Sequence, residues 1–247
     1  MSREKNYVIE IATNDYESTK AAVAGGADRI ELCAALSEGG LTPSMAMIQQ
    51  CRHDFQLPIF PILRPRSGDF LYTPEEFKII KQDTLFCKQI GCDGIVIGFL
   101  NKDGTINKAW TSEIVEAAYP LEVTFHRAFD RCRNPFEALE IIIETGCQRI
   151  LTSGQQQVAP DGIELIQQLV TQAAERIIIM PGSGVRAANI KELAEKTGAV
   201  EFHSSLKTAK PSEMSYRQPA FAASAESYSY PTIQSDDVVQ LRRALDK

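Results

Sequence analysis

Short apolar runs recur along the chain, each followed by a longer stretch of helical character. The runs are residues 7–12, 29–33, 58–64, 94–98, 121–125, 149–153, 176–181 and 200–203. They are near-continuous in Val, Ile and Leu, as parallel strands buried on both faces must be. The stretches between them carry helix start signals. Thr73-Pro74-Glu75-Glu76 supplies a cap, a first-turn proline and two acids. Asn14 or Asp15 caps the first helix, Thr42-Pro43 opens the second, Asn134-Pro135 opens the fifth and Asp161 caps the sixth. Gly26, Gly91, Gly146 and Gly198 stand where helices end, the position at which a left-handed residue costs least as glycine.

Alternation repeated eight times over residues 1–247 predicts a single α/β domain. The expected architecture is a closed (β/α)8 TIM-like barrel, with an open doubly wound sheet as the alternative. A weak internal echo supports closure: a helix-ending glycine, a small residue and a strand recur at residues 26–30, 91–95, 146–150 and 198–202. Residues 204–235 break the rhythm. They are rich in Ser, Ala, Tyr and Pro without a clear period, and predict a long irregular segment between the last strand and the last helix. A lid, an arm onto a neighbouring subunit and plain disorder are the readings open for it.

Composition narrows the class. The net charge is −6, with no stripe of Lys and Arg, so nucleic acid is excluded as a partner. No apolar run approaches the length of a membrane span. The first six residues are polar and do not resemble an export signal. Six cysteines without a C-x-x-C pair then read as reduced, buried thiols of a cytoplasmic protein.

Alternation within the strands picks out candidate chemistry. Glu10, Glu31, Arg64, His126 and His203 are ionisable residues set near the C-terminal ends of five apolar runs. Ile9, Ile11, Ile30, Leu32, Leu63, Phe125 and Phe202 alternate with them and face the helices. The five therefore point into the barrel mouth, where barrel enzymes place their chemistry. They form either a catalytic set or a structural ion-pair plug with Glu10 or Glu31 holding Arg64. In the catalytic reading His126 moves protons with Glu10 or Glu31 as partner, and Arg64 and Arg127 hold a carboxylate or a developing negative charge. Asp130 orients Arg127 or caps the next helix. Gly182-Ser183-Gly184 follows the seventh strand and is a candidate phosphate-binding turn, or simply a tight turn that needs glycine. Glu10, Glu31, His126 and His203 would suit a divalent ion such as Zn or Mn, whereas Cu(I) would prefer sulfur. Cys33, on the Glu31 face, is the one thiol expected at a strand mouth. The ligand expected from the residues is a small polar, anionic or sugar-like molecule, with no organic cofactor.

Several stretches also carry a resemblance. Residues 25–33, Leu36-Ser37-Glu38-Gly39-Gly40 with Thr42-Pro43-Ser44, residues 64–72, residues 123–130, Leu151-Thr152-Ser153-Gly154, residues 180–184 and Glu201-Phe202-His203 resemble the CutC family. That resemblance implies a cytoplasmic TIM-like barrel, often a homo-oligomer, with a role in copper homeostasis. It also implies weak Cu(I) binding at cysteines, one of them at Cys33. Where some relatives carry a second cysteine after the first-strand glutamate, this chain has Ala12. An enzyme acting on a small anionic or sugar-like substrate by acid/base chemistry is the alternative function, and a subunit scaffold built through residues 204–235 is a third.

Overall fold

The computed structural model describes residues 7–221 and 228–246. The polar N-terminus (residues 1–6) and part of the 204–235 segment, residues 222–227, lie outside the described residues. Eight parallel strands form the predicted (β/α)8 barrel: β1 (Val8–Thr13), β2 (Arg29–Leu32), β3 (Ile59–Pro61), β4 (Gly94–Ile97), β5 (Glu122–Phe125), β6 (Arg149–Thr152), β7 (Ile178–Pro181) and β8 (Glu201–Ser204). The ladders run β3–β2–β1–β8 and β4–β5–β6–β7. Leu63 N–H donates to Val96 O at 2.8 Å and joins β3 to β4. β7 packs beside β8, where a side chain at Gly182 would meet His203 Cβ at 3.2 Å.

The helices are α1 (Tyr16–Ala24), α2 (Met45–Asp54), α3 (Pro74–Gln89), α4 (Lys108–Ala118), α5 (Pro135–Thr145), α6 (Ile163–Ala173), α7 (Ile190–Thr197) and α8 (Ser235–Leu245). None is long and apolar enough to cross a membrane. The capping box of α3 forms, with Glu76 N–H donating to Thr73 Oγ1 and Thr73 N–H to the Glu76 carboxylate. Asp15 and Asn134 cap α1 and α5. Two start signals act differently from expectation. Thr42 Oγ1 accepts from Arg64 N–H, so it is not available to a helix, and Ser44 caps α2 instead. Asp161 lies in a single 3-10 turn (Ala159–Gly162), and α6 begins after it without a side-chain cap.

The 204–235 segment is less irregular than its composition suggests. It contains an antiparallel pair, β9 (Thr208–Pro211) with β10 (Ser229–Thr232). Pro211 and Pro231 sit in this two-stranded ribbon, where a missing donor costs no central ladder bond. Met214, Tyr216, Phe221 and Tyr230 are exposed along it.

The outward strand residues Ile9, Ile11, Ile30, Leu32, Leu63, Phe125 and Phe202 pack with helix residues in one continuous core. The inside of the barrel is different. In its lower layer the Phe60 ring lies between the Arg29 and Arg149 guanidinium groups, each 5.2 Å from its centroid. Gly94 makes room for that ring, since a Cβ there would lie 2.4 Å from it. Above this charged, aromatic floor the strand ends open into the mouth.

Candidate functional site

The floor is held by a chain of ion pairs that the sequence reading missed. Arg29 Nε donates to Glu10 Oε2 at 2.5 Å and its Nη2 to Glu201 Oε2 at 2.5 Å. Glu201 also accepts from Arg149 Nε at 3.1 Å, and Arg149 Nη2 reaches Glu122 Oε2 at 2.7 Å. The partner of Glu10 is thus Arg29, not Arg64. The signal was present: Arg29 and Glu201 precede Glu31 and His203 by two residues and share their inward face. Glu10, with no exposed surface, is held down at a pKa of about 2; burial alone would raise it, but Arg29 and His203 outweigh that cost.

One wall of the mouth is made by β1, β2 and β8. His203 shares a hydrogen bond with Glu10 through Nδ1 at 2.7 Å, and its Nε2 stands 3.7 Å from Glu31 Oε2. Burial works against the imidazolium, yet Glu31 and Glu10 together raise its pKa above the ordinary value. Burial, aided by the Glu10 charge, raises that of Glu31. Cys33 Sγ lies 3.4 Å from Glu31 Oε2. Burial and then the Glu31 charge push the Cys33 thiol well above its usual range, so it is held protonated. All six cysteines are free and buried.

The opposite wall comes from the ends of β3 and β5. Arg64 donates to three backbone carbonyls: Nη1 to Glu38 and Gly40 at 2.7 and 2.9 Å, Nη2 to Gly68 at 3.0 Å. His126 follows β5, and Gly98 at the end of β4 gives it space, since a Cβ there would lie 2.4 Å from the ring. Its Nδ1 accepts from Ala128 N–H at 3.1 Å, which leaves the proton of the neutral ring on Nε2. That Nε2 is buried and, among the described residues, has no hydrogen-bond partner. Burial, and then the Arg64 charge, lower the His126 pKa to about 3. The Phe70 ring covers both residues, 4.8 Å from the His126 ring and 5.2 Å from the Arg64 guanidinium. His126 therefore contacts neither Glu10 nor Glu31. The two carboxylates lie against His203 instead.

Arg127 stands beside them at the mouth. Asp130 orients it, accepting from Nε at 2.7 Å, while Arg127 Nη2 donates to Ser153 Oγ at 2.8 Å. Asp130 also accepts from the Ser153 and Gln155 backbone N–H groups, and Asn134 takes the helix cap.

The two walls enclose a cavity of about 180 Å³ lined by Ala12, Glu31, Cys33's neighbour Leu36, Arg64, Phe70, His126, Arg127, Ser183, Gly184, His203 and Ser205, among others. Four of the five predicted ionisable residues line it, and Glu10 lies beneath them holding His203. Of the glycine turn, Ser183 and Gly184 reach the cavity, while Gly182 is spaced by packing: a Cβ would lie 2.4 Å from Leu151 Cδ1. α7 begins only at Ile190, after a turn braced by Asn189, whose amide donates to Gly184 O at 3.0 Å. The helix N-terminus consequently stands apart from the turn. Among the described residues no three His, Cys, Asp or Glu side chains are grouped to hold a metal ion.

Residues 7–208 match the model of the CutC family. The chain belongs to the CutC family. It is 48% identical to a family protein CutC from Parabacteroides distasonis, over 93% of this chain and 96% of that one. It is 42% identical to the human copper homeostasis protein cutC homolog, over 96% of this chain and 87% of that one. The crystal structure of the putative copper homeostasis protein CutC from Streptococcus agalactiae superposes with a TM-score of 0.76 at 28% identity, covering 80% of this chain and 98% of that one. An aldolase (TM-score 0.62, 13% identity, 83% and 92% coverage) shares the fold. The matched span holds every CutC-like motif read from the sequence, and the described residues beyond it are those of the β9–β10 ribbon and α8.

Proposed function

We propose that this chain is a copper homeostasis protein of the CutC type. What carries the proposal is its 42% identity, across nearly its whole length, to a human relative named for that role. Copper would enter as cargo, and the donor set bears on how firmly it is held. Cu(I) favours thiolates, and Cys33 is the one thiol beside this mouth. Its proton is retained, and Ala12 lines the wall in place of a second sulfur. Such a set fits weak binding and not a tight two-thiolate site, because binding must first displace the Cys33 proton. Cu(I) titration against a competing chromogenic chelator tests this. Cys33→Ala is expected to weaken binding by about tenfold or more. Equal affinity in both proteins would remove Cys33 from the site. Cytoplasmic residence belongs to the same proposal, supported by the six unpaired thiols, and a homo-oligomeric state is expected with it.

A second function, acid/base chemistry on a small ligand, is favoured by one observation: His203 is held by Glu10 through Nδ1 while its Nε2 faces the cavity beside Glu31. A carboxylate–imidazole pair with the far nitrogen at a ligand-sized space is an arrangement for moving protons. His203 is the proton carrier there and Glu10 its positioning residue. Mass-spectrometric profiling of a small-molecule extract incubated with the purified chain tests it. The folded wild type is expected to deplete a compound that an equally folded His203→Gln variant leaves unchanged. Identical profiles would eliminate the function.

A further inference from the structure

The two walls of the cavity differ in charge, and one cation lacks a counter-ion. Arg127 is paired with Asp130, and His203 stands between Glu10 and Glu31. Arg64 is only 4% exposed, yet among the described residues no carboxylate pairs with it. Its guanidinium rests on backbone carbonyls, and among the described residues its Nε has no hydrogen-bond partner. The neighbouring Tyr72 hydroxyl interacts with the Arg64 guanidinium but brings no charge to offset it. A buried charge without a partner is costly, and proteins retain one where a ligand supplies the opposite sign. A second unmet donor, His126 Nε2–H, lies on the same wall, on a residue only 3% exposed. Two orphaned donors under one ring, Phe70, beside a single uncompensated positive charge, describe the receptor of a monoanion. A phosphate dianion would overshoot that charge, and the turn at Gly182–Gly184 offers it no adjoining helix N-terminus.

We propose that the cavity binds a small monocarboxylate bearing a second oxygen function, a 2-hydroxy or 2-oxo acid, with the carboxylate toward Arg64, His126 and Arg127. The second oxygen faces His203 and Glu31 across the cavity. A volume of about 180 Å³ limits the ligand to about six to nine non-hydrogen atoms, taking roughly 20–30 Å³ for each. Phe70 must shift to let the carboxylate reach both donors, since its ring packs on both side chains. The ligand class rests on the small-ligand function proposed above and not on copper.

Titration of the full chain with lactate, pyruvate, lactamide, glycerol and inorganic phosphate, read by calorimetry and by NMR of the His126 ring N–H, tests the assignment. Lactate and pyruvate are expected to bind with Kd of about 1 mM or tighter, and lactamide, its neutral isostere, about tenfold more weakly or worse. Lactate is expected to shift the His126 Nε2–H resonance. Arg64→Met abolishes the preference for lactate over lactamide. Should that variant not fold, Arg127→Met, altering a half-exposed side chain, is expected to weaken lactate at least about threefold. Equal binding of lactate and lactamide, or preference for inorganic phosphate, overturns the ligand class. Binding of glycerol alone overturns it and leaves a small-ligand function standing, whereas no binding by any probe overturns both.

Discussion

Replacing Arg29 with Met is expected to lower the stability of the chain by about 3–5 kcal/mol, a fall in melting temperature on the order of 10 °C. The substitution keeps most of the side-chain volume and removes the charge shared by Glu10 and Glu201. Those carboxylates are almost fully buried, so water cannot replace the lost partner. Each keeps one contact, Glu10 with His203 and Glu201 with Arg149, which sets the loss below that of two isolated charges. Arg176→Met is the matched control. Its pair with Glu140 is half exposed on both sides, and water screens such a pair so that its loss is expected to cost little. The triple variant Arg29→Met, Glu10→Gln, Glu201→Gln is expected to recover part of the loss, because it removes three mutually paired charges together and leaves Arg149 with Glu122 and His203 beside Glu31. Calorimetric melting of the four proteins checks this. Equal shifts for Arg29→Met and Arg176→Met would show that the barrel floor is no more than a surface-like ion pair.

Acidification from pH 6.5 to 5 is expected to cost the folded state about 2 kcal/mol through His126 alone. The sign follows from where its proton binds. In the unfolded chain the ring titrates near its ordinary value of 6.5, and in the folded chain near 3. Between these values the unfolded state binds a proton that the native state refuses, so stability present above pH 6.5 is lost as the pH falls, at about 1.4 kcal/mol per unit. Glu10 adds loss of the same sign only at lower pH, since its stabilisation is present above its ordinary 4.5 and disappears as the pH drops through about 2. His203 has the opposite sign. Its raised pKa gives a contribution fully present below pH 6.5 and lost as the pH rises through the folded value. His126→Gln, which keeps an N–H donor but does not titrate, should flatten the dependence between pH 6.5 and 5. Urea unfolding at pH 7, 6 and 5 measures it. An unchanged slope in the variant would mean that the ring is already charged or solvated in the folded protein.

These two predictions come from residues of unequal visibility in the sequence. His126 was conspicuous, an ionisable residue ending an apolar run, and its position at the cavity was legible from strand parity. Its neutral state was not, because that depends on Gly98 lending space, Ala128 donating to Nδ1, and Arg64 lying nearby. Arg29 is inconspicuous because it stands at the start of its strand, where a polar residue is ordinarily part of the preceding turn. Parity with Glu31 marked it as inward, but nothing local indicated that Glu10, Glu201 and Arg149 would converge on it across the ring. The pairing expected for Arg64 failed for a related reason. A guanidinium among two carboxylates suggests an ion pair, yet the loop carbonyls of Glu38, Gly40 and Gly68 reach it first. In the 204–235 segment, composition without periodicity concealed the β9–β10 ribbon, whose mostly exposed residues form no alternating buried face.

The number of strands, their parallel order, the caps of α1, α3 and α5, and the side of each strand that turns inward were all fixed by local chemistry. Strand parity has a period of two, and capping acts within a few residues, so both leave their marks in the linear chain. Which charges meet did not. Glu10 and His203 are separated by 193 positions and lie 2.7 Å apart, and that meeting favours the charged form of His203 while burial and Arg64 keep His126 neutral. Burial and neighbouring charge decide a side chain's protonation, and both are properties of the closed ring, absent from any stretch of it.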